Sequence, residues 1–128
     1  MARELVNPPA LHPAPGFSHV AVAQGVAFFA GQVALDPQFN VVGGDDVFAQ
    51  TRAAMENLKI AMDAVGATWD DIVRRTIYTT VPTEFEAITR GIDAVTGGAE
   101  HPAQTIVGVT GLAVPGLMVE IECTALLP

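Results

Sequence analysis

The sequence predicts an α+β fold, a two-layer sandwich in which a mixed β-sheet carries two helices on one face, in the order β-β-β-α-β-α-β-β. Three observations predict it. Residues 47–65 and 84–95 repeat apolar side chains at spacings of three and four, the period of a helix. Residues 18–30, 72–81, 103–109 and 117–125 alternate, or are rich in β-branched side chains, between Gly and Pro punctuation. Two amphipathic helices need a sheet face on which to bury their stripes, and a chain of 128 residues is expected to fold as one domain, 1–128.

The elements follow in order. Residues 5–17 hold four prolines, which forbid a helix or a central strand and predict an extended arm on the surface. Ser18–Ala23 and Val26–Ala30 flank Gln24-Gly25 and read as a hairpin. Gly31 follows, where a bulge or a close backbone approach is expected. Asn40–Gly44 has room for only a short strand. Asp45 or Asp46 then caps a helix over Val47–Val65, whose stripe is Val47, Ala54, Met55, Leu58, Ala61, Met62 and Val65. Arg52, Glu56, Lys59 and Asp63 fall outside the stripe, with Glu56 and Lys59 spaced for an i,i+3 pair. Gly66 ends this helix, and Thr68–Asp71 makes one helical turn or a tight loop. After the strand at 72–81, Thr83 and Glu86 are spaced as a capping box for a helix with the stripe Phe85, Ile88, Ile92 and Val95. Gly97-Gly98 close it. Ala103–Val109 and Leu117–Ala125 read as a terminal strand pair.

Composition narrows the function. Half the residues are hydrophobic and 16% are charged, a sparing use of charge that predicts surface covered by another subunit. The helix-free sheet face, judged from Ala21, Phe29 and Ile106, does not read as consistently wet, so a homo-oligomer formed through it is expected. Fourteen acidic residues stand against six basic ones, for a net charge of −8, and Arg74-Arg75 is the sole basic pair. Nucleic-acid and anionic-membrane partners are therefore not expected. No apolar run reaches the roughly 18 residues of a membrane helix, and prolines rather than a signal core follow Met1–Glu4, so a cytoplasmic setting is expected. The single cysteine, Cys123, reads as a small buried hydrophobe.

The chemistry converges on the last strand. Val119, Ile121, Cys123 and Ala125 share one face, and Glu120 and Glu122 share the other. On an open face the two carboxylates are ordinary surface charge. In a covered cleft, burial and mutual repulsion raise a carboxyl pKa, and one of them becomes an acid or base. His12, His19 and His101 are scattered without metal-ligand spacing, and no phosphate-binding glycine loop or nucleophile triad is present, so neither metal nor cofactor is expected. Gln104 shares a face with Ile106 and Gly108. If Gln104 and Glu120 border one cleft, it holds a carboxylate base and a neutral amide.

Several segments carry a resemblance: Pro15-Gly16-Phe17, Phe29-Ala30-Gly31-Gln32, Asn57-Leu58, Ile72-Val73 with Thr76-Ile77-Tyr78, Phe85, Pro102-Ala103-Gln104-Thr105 and Val119-Glu120-Ile121-Glu122-Cys123-Thr124-Ala125. Over nearly its whole length the chain resembles the RidA (YjgF) family. The resemblance implies a chorismate-mutase-like fold and a homotrimer with ligand clefts between subunits. It also implies an enamine and imine deaminase, in which a glutamate matching Glu120 positions water. The family's carboxylate-clamping arginine is replaced here by Gln104, a neutral donor in place of a charged fork. Phe17 stands where a Tyr is frequent, Ala30 where a small hydroxyl is, and Thr89 where an Asn is. The expected site is thus Glu120 as the catalytic residue, with Phe17, Ala30, Gly31, Thr89, Gln104 and Ile106 binding the small-molecule ligand. Arg74, Arg75 or Arg90 are candidates for a displaced cation. The alternative implied by the lost arginine is a non-catalytic metabolite-binding trimer. A ribonuclease activity, sometimes attached to the family, fits the acidic charge least.

Overall fold

The computed structural model describes residues 2–128. Six strands form one sheet: β1 (Glu4–Val6), β2 (Val20–Ala23), β3 (Val26–Val33), β4 (Ile72–Thr79), β5 (Ala103–Gly108) and β6 (Val119–Leu126). Their spatial order is β1-β2-β3-β6-β4-β5. The β4–β5 pair is parallel and the other pairs are antiparallel. Helices α1 (Val47–Asp63) and α2 (Phe85–Thr96) pack on each other and on one sheet face. The expected α+β two-layer sandwich and the order βββαβαββ are therefore present.

The core sits between these layers. Val119, Ile121, Cys123 and Ala125 of β6 are buried with Met55, Leu58, Ala61 and Met62 of α1 and Ile88 and Ile92 of α2. Strand β6 is paired on both edges, by β3 and β4, which accounts for its strict alternation. Asp46 caps α1 by accepting from the backbone N–H groups of Phe48 and Ala49. Gln24 and Gly25 both have positive φ, 52° and 77°, the twist that a two-residue hairpin turn requires.

Five expectations are corrected. The first strand comes from Glu4–Val6, ahead of the prolines, whereas the 40–44 segment contributes one isolated bridge, Leu35 to Val41. A short edge strand tolerates neighbouring prolines that a central one would not. The arm is not wholly on the surface, because Leu11 and His12 are buried. Strands β5 and β6 do not form a hairpin: ten residues, 109–118, carry the chain back past β4, and β5 pairs in parallel with β4 through the α2 crossover. Thr83 does not cap α2, since Pro82–Glu84 forms a 3₁₀ turn and Glu84 is the N-cap without a side-chain bond. The ion pairs of α1 are Arg52–Glu56 and Lys59–Asp63, both i,i+4, rather than Glu56–Lys59.

The helix-free sheet face holds Glu120, Glu122, Thr124, Tyr78, Thr76 and Arg74, with Leu5, Phe28 and Val107 among its exposed apolar residues. Phe29 and Ile106 belong to the helix side, so it is these other residues that make the open face apolar. Phe28 is 53% exposed, far more than a large aromatic on a sheet face normally keeps in contact with water.

Candidate functional site

The site is built around a bulge. Phe29 pairs with Cys123 and Gln32 with Ile121, so Ala30 and Gly31 together oppose the single residue Glu122. The extra residue brings the Gly31 backbone beneath the side chain of Glu120. A Cβ on Gly31 would overlap the Glu120 carboxylate, so this glycine is required by space. The close approach expected at Gly31 is thereby present.

Glu120 has Val33 and Tyr78 as its cross-strand neighbours. Tyr78 donates its O–H to Glu122 Oε1 at 2.6 Å, and that bond holds the Tyr78 phenol above its ordinary pKa. Burial first, and the Glu122 charge second, push the Glu120 carboxyl above its ordinary value. The two carboxylates thus differ in surroundings: Glu122 accepts from a phenol, and Glu120 is the more readily protonated for its burial. A carboxyl raised in this way is suited to acid–base chemistry.

Glu120 lines a cleft of about 320 Å³ with Phe17, Ala30 and Gly31. Val33, Leu35 and Leu117 form its apolar wall as part of a second small core cluster. Four of the expected site residues therefore meet in one chain. The others do not. Gln104 pairs with Arg75 and Ile106 with Ile77, on the helix side of β5 and across the sheet from Glu120. Thr89 lies on α2, one turn before Asp93, with its hydroxyl donating to the Phe85 carbonyl at 2.9 Å. Gln104 and Glu120 do not border one cleft within a chain, because β4 separates their strands and their side chains have opposite parity.

The three arginines have different fates. Arg75 is 4% exposed; its Nε donates to Gln104 Oε1 at 2.6 Å and its NH2 to His101 Nδ1 at 2.8 Å. An arginine only donates, so His101 accepts at Nδ1 and its Nε2–H faces Asp93 Oδ1 at 3.2 Å. Burial lowers the Arg75 pKa. Arg74 lies on the opposite face and donates to Thr105 Oγ1 at 2.7 Å, and Arg90 is exposed on α2. None of them lines the Glu120 cleft. Burial pushes the Cys123 thiol up to about 12, which leaves it an inert core residue. Among the described residues no three His, Cys, Asp or Glu side chains converge as metal ligands.

One polar residue of the cleft was missed from the sequence. His12 lines it and sits in the proline-rich arm, where nothing in the spacing distinguishes it from a surface histidine. Its ring stands edge-on to His19, 4.8 Å between centroids, and to Phe39 at 5.3 Å. His19 is fully enclosed: its Nε2–H donates to the His12 carbonyl at 2.9 Å, and its Nδ1 accepts from Gln32 Nε2 at 3.0 Å. Burial lowers the His19 pKa and keeps it neutral in this role.

A sheet with two helices on one face, a bulge under a perturbed carboxylate and a cleft at the sheet's open side define a two-layer α+β protein with one candidate site. The Endoribonuclease L-PSP family model matches residues 8–127, and the chain belongs to this family, that of the RidA (YjgF) proteins. A RutC family protein of Synechocystis sp. is 32% identical over 119 residues, 91% of each chain. A Rid family protein of unknown function from Yersinia pestis superposes with a TM-score of 0.90 at 26% identity, covering 98% of this chain and all of that one. A member of the YjgF/YER057c/UK114 family from Mycobacterium tuberculosis gives a TM-score of 0.79 at 30% identity, covering 98% of this chain and 100% of that one. No helix of the described residues is long and apolar enough to cross a membrane.

Proposed function

We propose that this protein is an enamine and imine deaminase, which hydrolyses reactive imines to a carbonyl compound and ammonia. The observation that carries the reading is the Glu120 carboxylate, raised in pKa and held against Gly31 in an apolar-walled cleft. Water adds to the imine carbon while Glu120 takes its proton. Glu120 returns that proton to the nitrogen to give the carbinolamine; it then carries the hydroxyl proton to the same nitrogen, the C–N bond breaks, and ammonia leaves as the C=O bond forms. No outside oxidant or cofactor enters this balance. Such a reaction disposes of a reactive nitrogen metabolite in the cytoplasm.

The reading includes a homotrimer. Leu5, Phe28, Val107 and Leu126 are exposed, and association through the open sheet face removes them from water. In such an assembly a neighbour's Gln104, Ile106 and Thr89, which lie far from Glu120 in their own chain, complete the cleft between subunits. Endoribonuclease chemistry, the description carried by the family model, fits poorly with a net charge of −8.

A specific observation favours a second reading, a trimer that binds a metabolite without turnover. Gln104 is tied to Arg75, and no cation lines the cleft, so a carboxylate-bearing imine has no clamp. Release of carbonyl product from a panel of amino-acid-derived and amine-derived imines, on wild type and Glu120→Gln, separates the two. Turnover lost in Glu120→Gln supports the hydrolase. An inert wild type across the panel removes it in favour of the binding protein.

A further inference from the structure

The proline-rich arm encloses, beside the Glu120 cleft, a polar atom with no partner. His12 is 6% exposed and lines the cleft. Its Nδ1 lies 2.7 Å from the Pro13 carbonyl oxygen. A carbonyl only accepts, so the neutral ring carries its proton on Nδ1 and leaves the Nε2 lone pair as an acceptor. That Nε2 is buried and bonds to no group among the described residues. A buried acceptor without a donor carries a full desolvation cost, and in a ligand cleft the natural supplier of the missing donor is the ligand.

The remaining lining points the same way. Within one chain the polar side chains of this wall are His12 and Glu120, both acceptors when His12 is neutral and Glu120 ionised, and the Gln104 and Thr89 side chains that a neighbour would add are uncharged. Phe17, Phe39, Val33, Leu35, Val114 and Leu117 supply apolar surface. Neither Lys nor Arg lines it, and the chain as a whole is strongly acidic. Phe39 stands edge-on to the His12 ring at 5.3 Å and is 41% exposed, so a ligand that reaches Nε2 displaces this ring into solvent rather than into the core.

We propose that this cleft selects apolar compounds that present an N–H or O–H donor and carry no negative charge, and that His12 Nε2 is the acceptor that receives the donor. The substrate class is then an amine-derived imine or its protonated form, rather than the imine of an amino acid. This rests on the reading of the cleft as the ligand site, and not on whether turnover occurs there.

The test is titration of the full-length protein with benzylamine, benzyl alcohol and benzoate by calorimetry, at about 0.15 M salt to screen the net charge. Benzylamine and benzyl alcohol bind, and benzoate binds at least about tenfold more weakly. In protein labelled with nitrogen-15 at histidine, the His12 Nε2 resonance moves on saturation with benzylamine, as a lone pair does on accepting a hydrogen bond. His12→Phe keeps the ring packing and weakens benzylamine about tenfold without creating benzoate binding. If that variant fails to fold, the nitrogen-15 shift in wild type decides alone. Benzoate binding as tightly as benzylamine, no binding of either donor, or a stationary Nε2 resonance at saturation overturns the proposal. Donor binding without imine turnover removes the hydrolase and keeps this inference, and turnover of carboxylate imines does the reverse.

Discussion

The Glu120 carboxylate lies so close over the Cα of Gly31 that a methyl group there would overlap its Oε2, Cγ and Cδ atoms. The glycine and the glutamate are 89 positions apart in sequence and are joined by the β3 bulge. Gly31→Ala is expected to swing the carboxylate away. The end of a flexible side chain relieves the overlap, so the stability loss is about 1 kcal/mol, the low end for overpacking. The loss of placement is larger: imine turnover falls by at least about tenfold, because a misplaced catalytic group costs more than it destabilises. Urea denaturation and turnover on the same preparation check both parts. A variant with unchanged turnover would show that the position of Glu120 is not used.

The pH dependence follows from two causes on one residue. Burial and the Glu122 charge raise the Glu120 carboxyl above its ordinary 4.5. A raised carboxyl favours the protonated form in the fold. Its stabilisation is complete below the unfolded value and is lost as pH rises through the folded one. Glu120→Gln is therefore more stable than wild type above that window, by less than about 1 kcal/mol for a partly exposed group, and no more stable at about pH 3. Glu122→Gln removes the like charge, lowers the Glu120 pKa, and moves the acidic limb of a turnover profile to lower pH. A limb that moves upward or stays put would contradict the assigned coupling.

The sequence made the layer arrangement legible because each element reports locally. The stripe of α1, the alternation of β6 and the Gln24-Gly25 turn are short-range patterns, and the structure repeats them. What it did not reveal depends on which strand lies beside which. Nothing in residues 103–126 says that β4 intervenes between β5 and β6, so Gln104 and Glu120 looked like neighbours on one hairpin. The burial of His12 was hidden for a similar reason: prolines correctly marked the arm as irregular, but irregular chain can still be laid against a cleft. Of the expected site, Phe17, Ala30, Gly31 and Glu120 came together because the bulge and the adjacent arm place them, whereas Thr89, Gln104 and Ile106 do not line that cleft.

Gln104 cannot be exchanged freely for arginine. Its Oε1 accepts from the buried Arg75 Nε at 2.6 Å. Gln104→Arg removes that acceptor and sets a second guanidinium beside the first, which is expected to cost about 2–3 kcal/mol. Gln104→Glu supplies a charged acceptor to the same donor, and its stability is expected to match or exceed wild type. The two variants thus differ in opposite directions from one parent, which a pair of urea titrations resolves. Equal destabilisation by both would mean that the Arg75 contact contributes nothing to the fold.

Gln50 ties the turn at Gly44 to the 109–118 segment that walls the cleft. It is fully buried in α1; its Nε2 donates to the Gly44 and Gly116 carbonyls at 2.8 and 2.9 Å, and its Oε1 accepts from Met118 N–H at 2.8 Å. The 109–118 segment carries Ala113, Val114 and Leu117 into the cleft wall, so this one amide fixes their position. Gln50→Leu preserves volume but leaves three backbone groups without partners. It is expected to cost about 3–4 kcal/mol, since each unpaired buried group costs about 1–3 kcal/mol and some admit water. Hydrogen exchange should rise first at Met118, the amide that loses its acceptor, ahead of the β6 core. Binding of apolar donors should weaken even where the variant remains folded. Fast exchange at β6 as a whole, with Met118 still protected, would place the lost stability elsewhere and separate the cleft wall from this tether.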